Sequence, residues 1–306
     1  MTSYKVDRCD YGIMRCHQVN RPILKVKTSR QLVEIDEYEN FGVGLCLDGS
    51  PQCSQGDSEK YHQLFVHPVL MPLSDRDLRV GILGGGDFGL VNEVRKYENV
   101  RYIKLIDWDK EFLAIAIKHL EPIHQGAWQD ERLVIYCDDV FQYLPKKDEL
   151  FHVIFADLTD IATASDLLPG FGLHVKNHLL ENGVFVTQAG DGSATPHALE
   201  LFLEGLKNIE PCFRYFWILR EHIPFFGYEQ AFVIATDSAA FNPFDKMCYR
   251  PDRPYYRIDA LIKKKAGLLN EYSGAVHHGA FALPPAIKEK IYQVLGQKFA
   301  KQLYST

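Results

Sequence analysis

The most informative residues of this chain are a run of three glycines and the two acids that follow it. Gly84, Gly85 and Gly86 end a short apolar segment, Asp87 comes next, and Asp107 ends a second apolar segment. A glycine-rich turn between a strand and a helix lets a ligand approach the main chain at the start of the helix. An acid about 20 residues further along fits a carboxylate that accepts hydrogen bonds from ribose hydroxyls. This combination predicts a site for a nucleoside-bearing cofactor, and a tight strand–helix connection without a ligand is the alternative.

The charge of Asp87 restricts which cofactor the turn could hold. A dinucleotide such as NAD or FAD would place its pyrophosphate at the turn, where the carboxylate would repel it. A cofactor with a positive charge would instead be attracted in a partly dry cleft. An S-adenosyl sulfonium with a protonated amine is such a cofactor, so the turn indicates sulfonium chemistry rather than redox chemistry.

Further acids end the third and fourth apolar segments. Asp138 and Asp139 end "RLVIYCDD", where we expect them near the edge of the adenine, and Asp157 and Asp160 end "FHVIFADLTD". Ligands of α/β sheets bind beyond the carboxyl ends of the strands. Each acid alone could serve a turn or a helix N-cap. Acids at successive strand ends together predict a cleft that attracts a polycation and excludes nucleic acid.

The composition is that of an ordinary soluble globular protein. The 306 residues are 46% hydrophobic and 24% charged, with a formal net charge of -6. No basic block suits a nucleic-acid partner, and no apolar stretch approaches the roughly 20 residues of a membrane span. The N-terminus lacks a signal-peptide pattern, and the seven scattered cysteines form no C-x-x-C pair. These features predict a cytoplasmic protein with reduced thiols. They predict no metal site, since the neighbours Cys16 and His17 lack a second ligand pair.

Two kinds of pattern divide the chain. Residues from about 20 to 66 carry β-type runs bounded by turn residues, whereas strand and helix patterns alternate from about residue 79 onward. The segment 67–77, with two prolines, predicts the junction. We therefore predict a small N-terminal β domain, 1–68, and a larger α/β domain, 69–306. Apolar strands separated by amphipathic helices imply a doubly wound, Rossmann-like parallel sheet in the larger domain.

Several segments together resemble the polyamine aminopropyltransferases, the spermidine synthase family. They follow the family's order and spacing from about Gly42 to the C-terminal "HHGAFALPPAIKEKI", and they read "LCLDGSPQCSQGDSEKYHQLFVHPVL", "GILGGGDFG", "LIDWD", "CDDVFQYL" and "VIFADLTD". The resemblance implies an N-terminal β domain ahead of a class I methyltransferase-like domain, and a homodimer or homotetramer. The segments "YHQLFVHP", "HQGAWQDERL" and "EHIPFFGYEQAFVIATD" look closest to the branch that acts on agmatine or longer amines, including thermospermine synthases.

On the donor side, the resemblance implies a site for decarboxylated S-adenosylmethionine, as a co-substrate rather than a tightly bound cofactor. Gln52 and Asp107 match residues that hold its ribose, and Asp87 matches the acid that binds its aminopropyl ammonium. Asp138 matches the acid near the adenine amino group, with Asp139 beside it. No metal is needed, because the sulfonium is already a good leaving group.

On the acceptor side, the resemblance implies a site for a small polyamine. Asp157 matches the catalytic aspartate, Tyr61 its hydrogen-bonding companion, and Asp160 a ligand of the acceptor amine. His62 follows Tyr61, a pairing seen in the agmatine and longer-amine branch. The implied products are 5′-methylthioadenosine and an amine extended by one aminopropyl group.

The chain departs from the family pattern mainly on the acceptor side. Ile161 stands where a proline is usual, and Phe226 stands where a tyrosine often grips the far end of putrescine, with Tyr228 close by. An aromatic face is worth about 0.5–2 kcal/mol to a cation. Agmatine or a longer amine could reach past Phe226, so we expect agmatine or a triamine such as spermidine to be favoured over putrescine.

Two other classes of function stay open. An S-adenosylmethionine-dependent methyltransferase would share the sheet and the ribose acid, although Asp87 would face the methionine carboxylate unfavourably. A non-catalytic homologue that binds amines or a nucleoside is the second class, because the loop after Asp160 is altered. The presence of Asp87, Asp107, Asp157 and Tyr61 together favours an active enzyme.

Overall fold

The chain folds around two β-sheets. A computed structural model describes residues 3–8, 13–158, 170–244, 256–265, 267 and 269–299. Within them an antiparallel sheet of five strands precedes a sheet of seven strands. This arrangement confirms the predicted α/β class, with a small β unit first and a Rossmann-like, methyltransferase-like unit second.

The strands of the first sheet are neighbours in space in the order in which they occur in the chain: β1 (Ser3–Arg8), β2 (Met14–Lys27), β3 (Leu32–Tyr38), β4 (Gly42–Leu47) and β5 (Ser50–Ser54). Short turns make this order possible. Asp48 and Gly49 join β4 to β5, and their φ angles of 49° and 89° are both positive. An Asp-Gly pair adopts this left-handed geometry readily, which makes it a preferred two-residue hairpin turn.

Helix α1 (Ser58–Leu70) leads from the first sheet to the second, and the sequence patterns did not predict it. Pro68 lies inside the helix, where a proline costs about 3 kcal/mol. Eleven of the thirteen residues are buried, and each large apolar side chain among them contributes about 1.5–3 kcal/mol, so packing outweighs the proline. The boundary predicted at residue 68 falls within this helix, and the division of the chain into domains stays a prediction.

Seven strands form the second sheet: β6 (Leu78–Gly84), β7 (Val100–Asp107), β8 (Leu133–Cys137), β9 (Phe151–Asp157), β10 (Leu179–Asp191), β11 (Tyr215–Ile223) and β12 (Tyr228–Thr236). Their spatial order is β11-β12-β10-β9-β6-β7-β8. The strands from β6 to β10 run parallel, as the alternation of strands and helices predicts. β12 pairs antiparallel with both β10 and β11, so the sheet is mixed rather than wholly parallel.

Apolar side chains cover both faces of the second sheet. Along β9, Val153 and Phe155 belong to one buried cluster, and Ile154 and Ala156 belong to the other, as the alternation of a strand requires. No helix among the described residues is long and apolar enough to cross a membrane. In the described part of the chain, the α-helices after α1 are α2 (Gly89–Val94), α3 (Lys110–His119), α4 (Glu121–His124), α5 (Val140–Tyr143), α6 (Phe171–Asn177), α7 (Pro196–Ile209), α8 (Tyr256–Lys265), α9 (Gly274–Ala280) and α10 (Pro285–Leu295).

Two buried hydrogen bonds fix the first sheet to the second. The hydroxyl of Thr28, in the turn between β2 and β3, donates to Oδ2 of Asp109 at 2.6 Å. The main-chain N–H of Phe225, between β11 and β12, donates to Oδ2 of Asp57 at 2.7 Å. Hydrogen bonds to charged groups contribute about 1.5–3 kcal/mol. They hold the first sheet beside the end of the second sheet at which β7 finishes.

Candidate active site

The predicted site lies between β6 and β9, two adjacent strands whose following strands lie in opposite directions along the second sheet. β6 and β9 pair in parallel, with Gly84 opposite Asp157. β7 and β8 continue on one side of this pair, and β10 continues on the other. Such a switch point leaves a crevice beyond the carboxyl ends of the strands, where α/β proteins bind ligands. The glycine turn and Asp157 therefore border one crevice.

The three glycines make room for two carboxylate residues of the protein itself. A Cβ on Gly84 would lie 2.2 Å from the main-chain oxygen of Asp157, and a Cβ on Gly86 would lie 2.6 Å from Oδ2 of Asp107. Gly84 and Gly85 also have positive φ angles, 76° and 67°. Side chains are strained in that region of φ, so the turn needs glycine before any ligand is considered.

Tyr61 and Asp157 form a direct pair at this crevice. The Tyr61 hydroxyl, on α1, donates to Oδ1 of Asp157 at 2.7 Å. The pKa of Asp157 is raised to about 6, chiefly by loss of water around the carboxylate and next by the charge of Asp87, and the hydrogen bond from Tyr61 acts in the opposite direction. Burial also raises the pKa of the Tyr61 phenol. The result is a carboxylate that is a stronger base than usual and a phenol that stays protonated.

His62 is the partner of Asp87. Its Nε2 lies 3.6 Å from Oδ2 of Asp87, and the imidazole is buried. Burial raises the pKa of Asp87, but the charge of His62 and the hydrogen bond from the N–H of Gly89 more than offset it, so the net pKa is lowered. Burial likewise lowers the pKa of His62, and Asp87 reverses the effect to leave it raised. A Cβ on Gly89 would lie 2.1 Å from the His62 ring, so this glycine admits the imidazole.

Asp107 is held at the end of β7 by the helix that follows it. Its Oδ1 accepts a hydrogen bond from the main-chain N–H of Asp109 at 3.0 Å. Burial raises the pKa of Asp107 to about 6, and this hydrogen bond acts in the opposite direction. Asp109 in turn caps α3, accepting from the N–H of Phe112 at 2.9 Å, and it also accepts the bond from Thr28. The first sheet thus helps to position Asp107.

The other residues predicted to bind the aminopropyl donor differ in how near they lie to the strand-end acids Asp87, Asp107 and Asp157. The main-chain N–H of Asp138 donates to the carbonyl of Asp107 at 3.1 Å, which places Asp138 beside it. Asp139 caps α5 through the N–H of Phe141 at 2.9 Å, the alternative role considered for such acids. Gln52 lies exposed on β5 and donates to the carbonyl of Ser50 at 3.2 Å. No hydrogen bond among the described residues joins Gln52 to the strand-end acids.

The predicted acceptor residues form an aromatic wall next to Tyr61. The Phe226 ring meets the Tyr61 ring edge-on at 5.7 Å between centroids and stacks on Tyr228 at 5.4 Å. The Arg15 guanidinium lies over the ring of Tyr228, 5.0 Å from its centroid. Asp160, and Ile161 after it, lie outside the described residues.

Two contacts of the site were not predicted. The buried Cys53 thiol, on β5, lies close enough to Asp87 to help lower the pKa of its carboxylate, and nothing in its sequence neighbourhood distinguishes it from the other cysteines. Asp109 holds both Asp107 and the turn of the first sheet. An acid three residues before Phe112, at the start of an amphipathic pattern, is a helix N-cap signal that could have identified it.

Comparison with known proteins agrees with this geometry. The family model described as the spermine/spermidine synthase domain matches residues 58–244. A polyamine aminopropyltransferase from Pyrobaculum neutrophilum is 32% identical over 278 residues, which cover 88% of this chain and 90% of the relative. One from Prochlorococcus marinus is 36% identical over 195 residues, covering 62% of this chain and 69% of the relative.

Solved structures share the fold. The spermidine synthase from Thermotoga maritima superposes with a TM-score of 0.78 at 23% identity, covering 94% of each chain. A spermidine synthase in complex with the transition-state analogue AdoDATO superposes with a TM-score of 0.81 at 24% identity, covering 95% of each chain. The match to the family model and the identity to the Pyrobaculum relative show that this chain belongs to the spermine/spermidine synthase family.

Proposed function

We propose that this protein transfers the aminopropyl group of decarboxylated S-adenosylmethionine to an amine acceptor and releases 5′-methylthioadenosine. The observation that carries the proposal is the Tyr61–Asp157 hydrogen bond of 2.7 Å, beside Asp87, at the switch point of the second sheet. A raised carboxylate pKa in a cleft is typical of a group that moves protons. Relatives named polyamine aminopropyltransferase support the same reaction.

In the proposed reaction Asp157 is the general base. An amine acceptor is protonated at neutral pH, with a pKa of about 10.4 for a lysine-like amine. Asp157 takes up its proton, the freed nitrogen attacks the methylene next to sulfur, and the carbon–sulfur bond breaks. The electron pair of that bond goes to sulfur, which leaves as a neutral thioether. A positioned base contributes about 10²–10⁴-fold, and alignment of nitrogen, carbon and sulfur contributes much of the rest.

On the donor side, the proposal places the cationic part of the co-substrate against Asp87. The neighbouring His62 outweighs the effect of burial and keeps this carboxylate ionised, so that its pKa is lowered. Asp87 would attract the donor ammonium and repel the carboxylate of unmodified S-adenosylmethionine. We assign the ribose to Asp107 and Gln52, and the adenine surroundings to Asp138 and Asp139.

On the acceptor side, we propose that agmatine or a triamine such as spermidine is preferred to putrescine. Phe226 is 6% exposed and has no polar atom to hold the second ammonium of a short diamine. Tyr228 stacks on it and carries a hydroxyl further along the same wall. We expect an amine that reaches past Phe226 to bind better. Asp160 and His62 complete the proposed acceptor side.

The experiment that tests the proposal is incubation of the protein with decarboxylated S-adenosylmethionine and a panel of putrescine, agmatine and spermidine. Mass spectrometry should detect methylthioadenosine and an acceptor heavier by one aminopropyl unit. Methyl transfer from S-adenosylmethionine, with no aminopropyl product from any amine, would overturn the proposal in favour of a methyltransferase. Absence of both products, in a protein that still binds the amines, would indicate a non-catalytic homologue.

A further inference from the structure

Three side chains at the switch point are placed to share one ion. His62, Asp87 and Asp157 each offer a ligand atom, and these atoms all lie within 4.8 Å of one another. We call these three residues the His62 cluster. The Nε2 of His62 is buried and has no hydrogen-bond partner among the described residues. A buried imidazole nitrogen that faces two carboxylates without a hydrogen bond is available as a metal ligand.

We propose that the His62 cluster binds a divalent transition-metal cation of the zinc type. Zinc takes imidazole nitrogen and carboxylate oxygen at about 2.0–2.2 Å, usually with four ligands, which leaves one position for water. Ligand atoms in such a site lie roughly 3.3 Å apart, so the cluster must contract from its present spacing. The imidazole favours zinc, cobalt or nickel over magnesium, which prefers oxygen ligands throughout.

The contacts around the cluster leave the right atoms available. Oδ1 of Asp157 accepts the hydrogen bond from Tyr61, and Oδ1 of Asp87 accepts one from the N–H of Gly89. Each carboxylate is therefore oriented through one oxygen, while the other faces its neighbours. Such outer contacts are typical of metal ligands, because they fix the ligand before the ion arrives. On binding, His62 loses its Nε2 proton to solvent and supplies a neutral nitrogen.

A metal ion in this position would inhibit the enzyme. The ion would be coordinated by Asp157, the proposed base for the amine, so the metal and the acceptor would compete for this carboxylate. This consequence rests on the proposed function, whereas metal binding itself does not. The inference therefore adds a regulatory ligand to the same site, a metal cation that excludes the polyamine.

Cobalt(II) is a suitable probe because its visible absorption reports coordination without any enzyme activity. The protein, with its thiols kept reduced, is titrated with CoCl₂ in three forms: unmodified, His62→Gln and the matched control His178→Gln. His178 is also buried with a partnerless Nε2 among the described residues, but it lies outside the cluster. We expect one cobalt per chain in the unmodified protein and the control. His62→Gln should weaken binding by at least about 100-fold, since even outer-sphere partners are worth about 10–100-fold.

Competition then identifies the site. Zinc and spermidine should each displace cobalt, and magnesium should not. Equal cobalt affinity in His62→Gln, or a cobalt spectrum that spermidine leaves unchanged, would overturn the inference, as would the absence of any cobalt spectrum. If circular dichroism shows that His62→Gln does not fold, Asp87→Asn replaces it with the same expected loss. A normal cobalt result in a protein that makes no aminopropyl product would overturn the proposed function alone.

Discussion

Replacing Tyr61 by phenylalanine tests the proposed base, because the substitution removes only the hydroxyl that donates to Asp157 at 2.7 Å. This hydrogen bond stabilises the ionised carboxylate, and so it holds the pKa of Asp157 down against the desolvation that raises it to about 6. A hydrogen bond to a charged group is worth about 1.5–3 kcal/mol, and one pH unit corresponds to about 1.4 kcal/mol. Tyr61→Phe should therefore raise the pKa of Asp157 by about one to two pH units.

The sign of the effect follows from the role of the base. In the proposed reaction Asp157 works only when ionised, so activity should fall as the pH drops through its pKa, and in Tyr61→Phe this fall should begin at a higher pH. The assay is kcat/KM for the amine across pH, which reports ionisations of the free enzyme. The amine's own ionisation is common to both proteins and cancels in their ratio. The ratio of variant to unmodified protein should be flat at high pH and should fall by about 10- to 100-fold at pH values below both pKa values.

A matched control is Tyr97→Phe. Tyr97 is also buried, and its hydroxyl lies 2.7 Å from Nδ1 of His67 rather than at Asp157. This control should leave the pH profile unchanged. A Tyr61→Phe ratio that stays constant across pH would refute the reasoning, because the base that limits the rate would then not be the carboxylate bonded to Tyr61.

Four further predictions concern the same site. Asp157→Asn should lower kcat by orders of magnitude in single-turnover assays while donor affinity, measured by calorimetry, stays nearly unchanged; full activity would remove Asp157 from the mechanism. The same variant should be more stable at pH 8, because a folded pKa raised from 3.8 to about 6 penalises the ionised form of Asp157. This penalty is absent below pH 3.8, grows as the pH rises towards 6, and is fully present above pH 6. Urea unfolding should give a gain of about 1–3 kcal/mol at pH 8 and none at pH 3.5, and equal gains at both would contradict the cause. Decarboxylated S-adenosylmethionine should bind at least about tenfold more tightly than S-adenosylmethionine, about 1.4 kcal/mol, and the reverse order would contradict the role of Asp87. Phe226→Tyr should shift the ranking of kcat/KM toward putrescine, and a putrescine optimum that this change leaves unaltered would end the long-amine hypothesis.

The parallel strands of the second sheet could be predicted because each is a short apolar run followed by a helical pattern. Helix α1 could not, since nearly all of its residues are buried. A helix buried on every side has no polar face, and without one the 3.6-residue period disappears from the sequence. Pro68 favoured the interpretation of residues 67–77 as a junction, because a proline is commonly a boundary. The helix instead depends on its burial, which includes packing against α2 and β10.

The approach of the strand-end acids to one another could also be predicted, since parallel strands end at one edge. Asp87, Asp107 and Asp157 do lie together there, close enough for the charge of each to affect its neighbours' pKa values. The contact of His62 with Asp87 could not be predicted, because it depends on how α1 packs against α2. Family membership, predicted from the resemblance, is confirmed by the family model. The individual roles, the agmatine-type branch and the homo-oligomer stay predictions.

The unequal charge compensation within the acidic group has a consequence for ligand binding. His62 lowers the pKa of Asp87 below its usual value. For Asp157, His62 only partly offsets the desolvation, and the pKa values of Asp107 and Asp157 are both raised to about 6. A bound polyamine supplies the missing positive charge, which favours the ionised form of Asp157. Below pH 6, amine binding should therefore release protons, and affinity should weaken as the pH falls. Burial of these carboxylates thus has two effects on the proposed reaction: it makes Asp157 a stronger base, and it makes a cation the ligand that the site stabilises most.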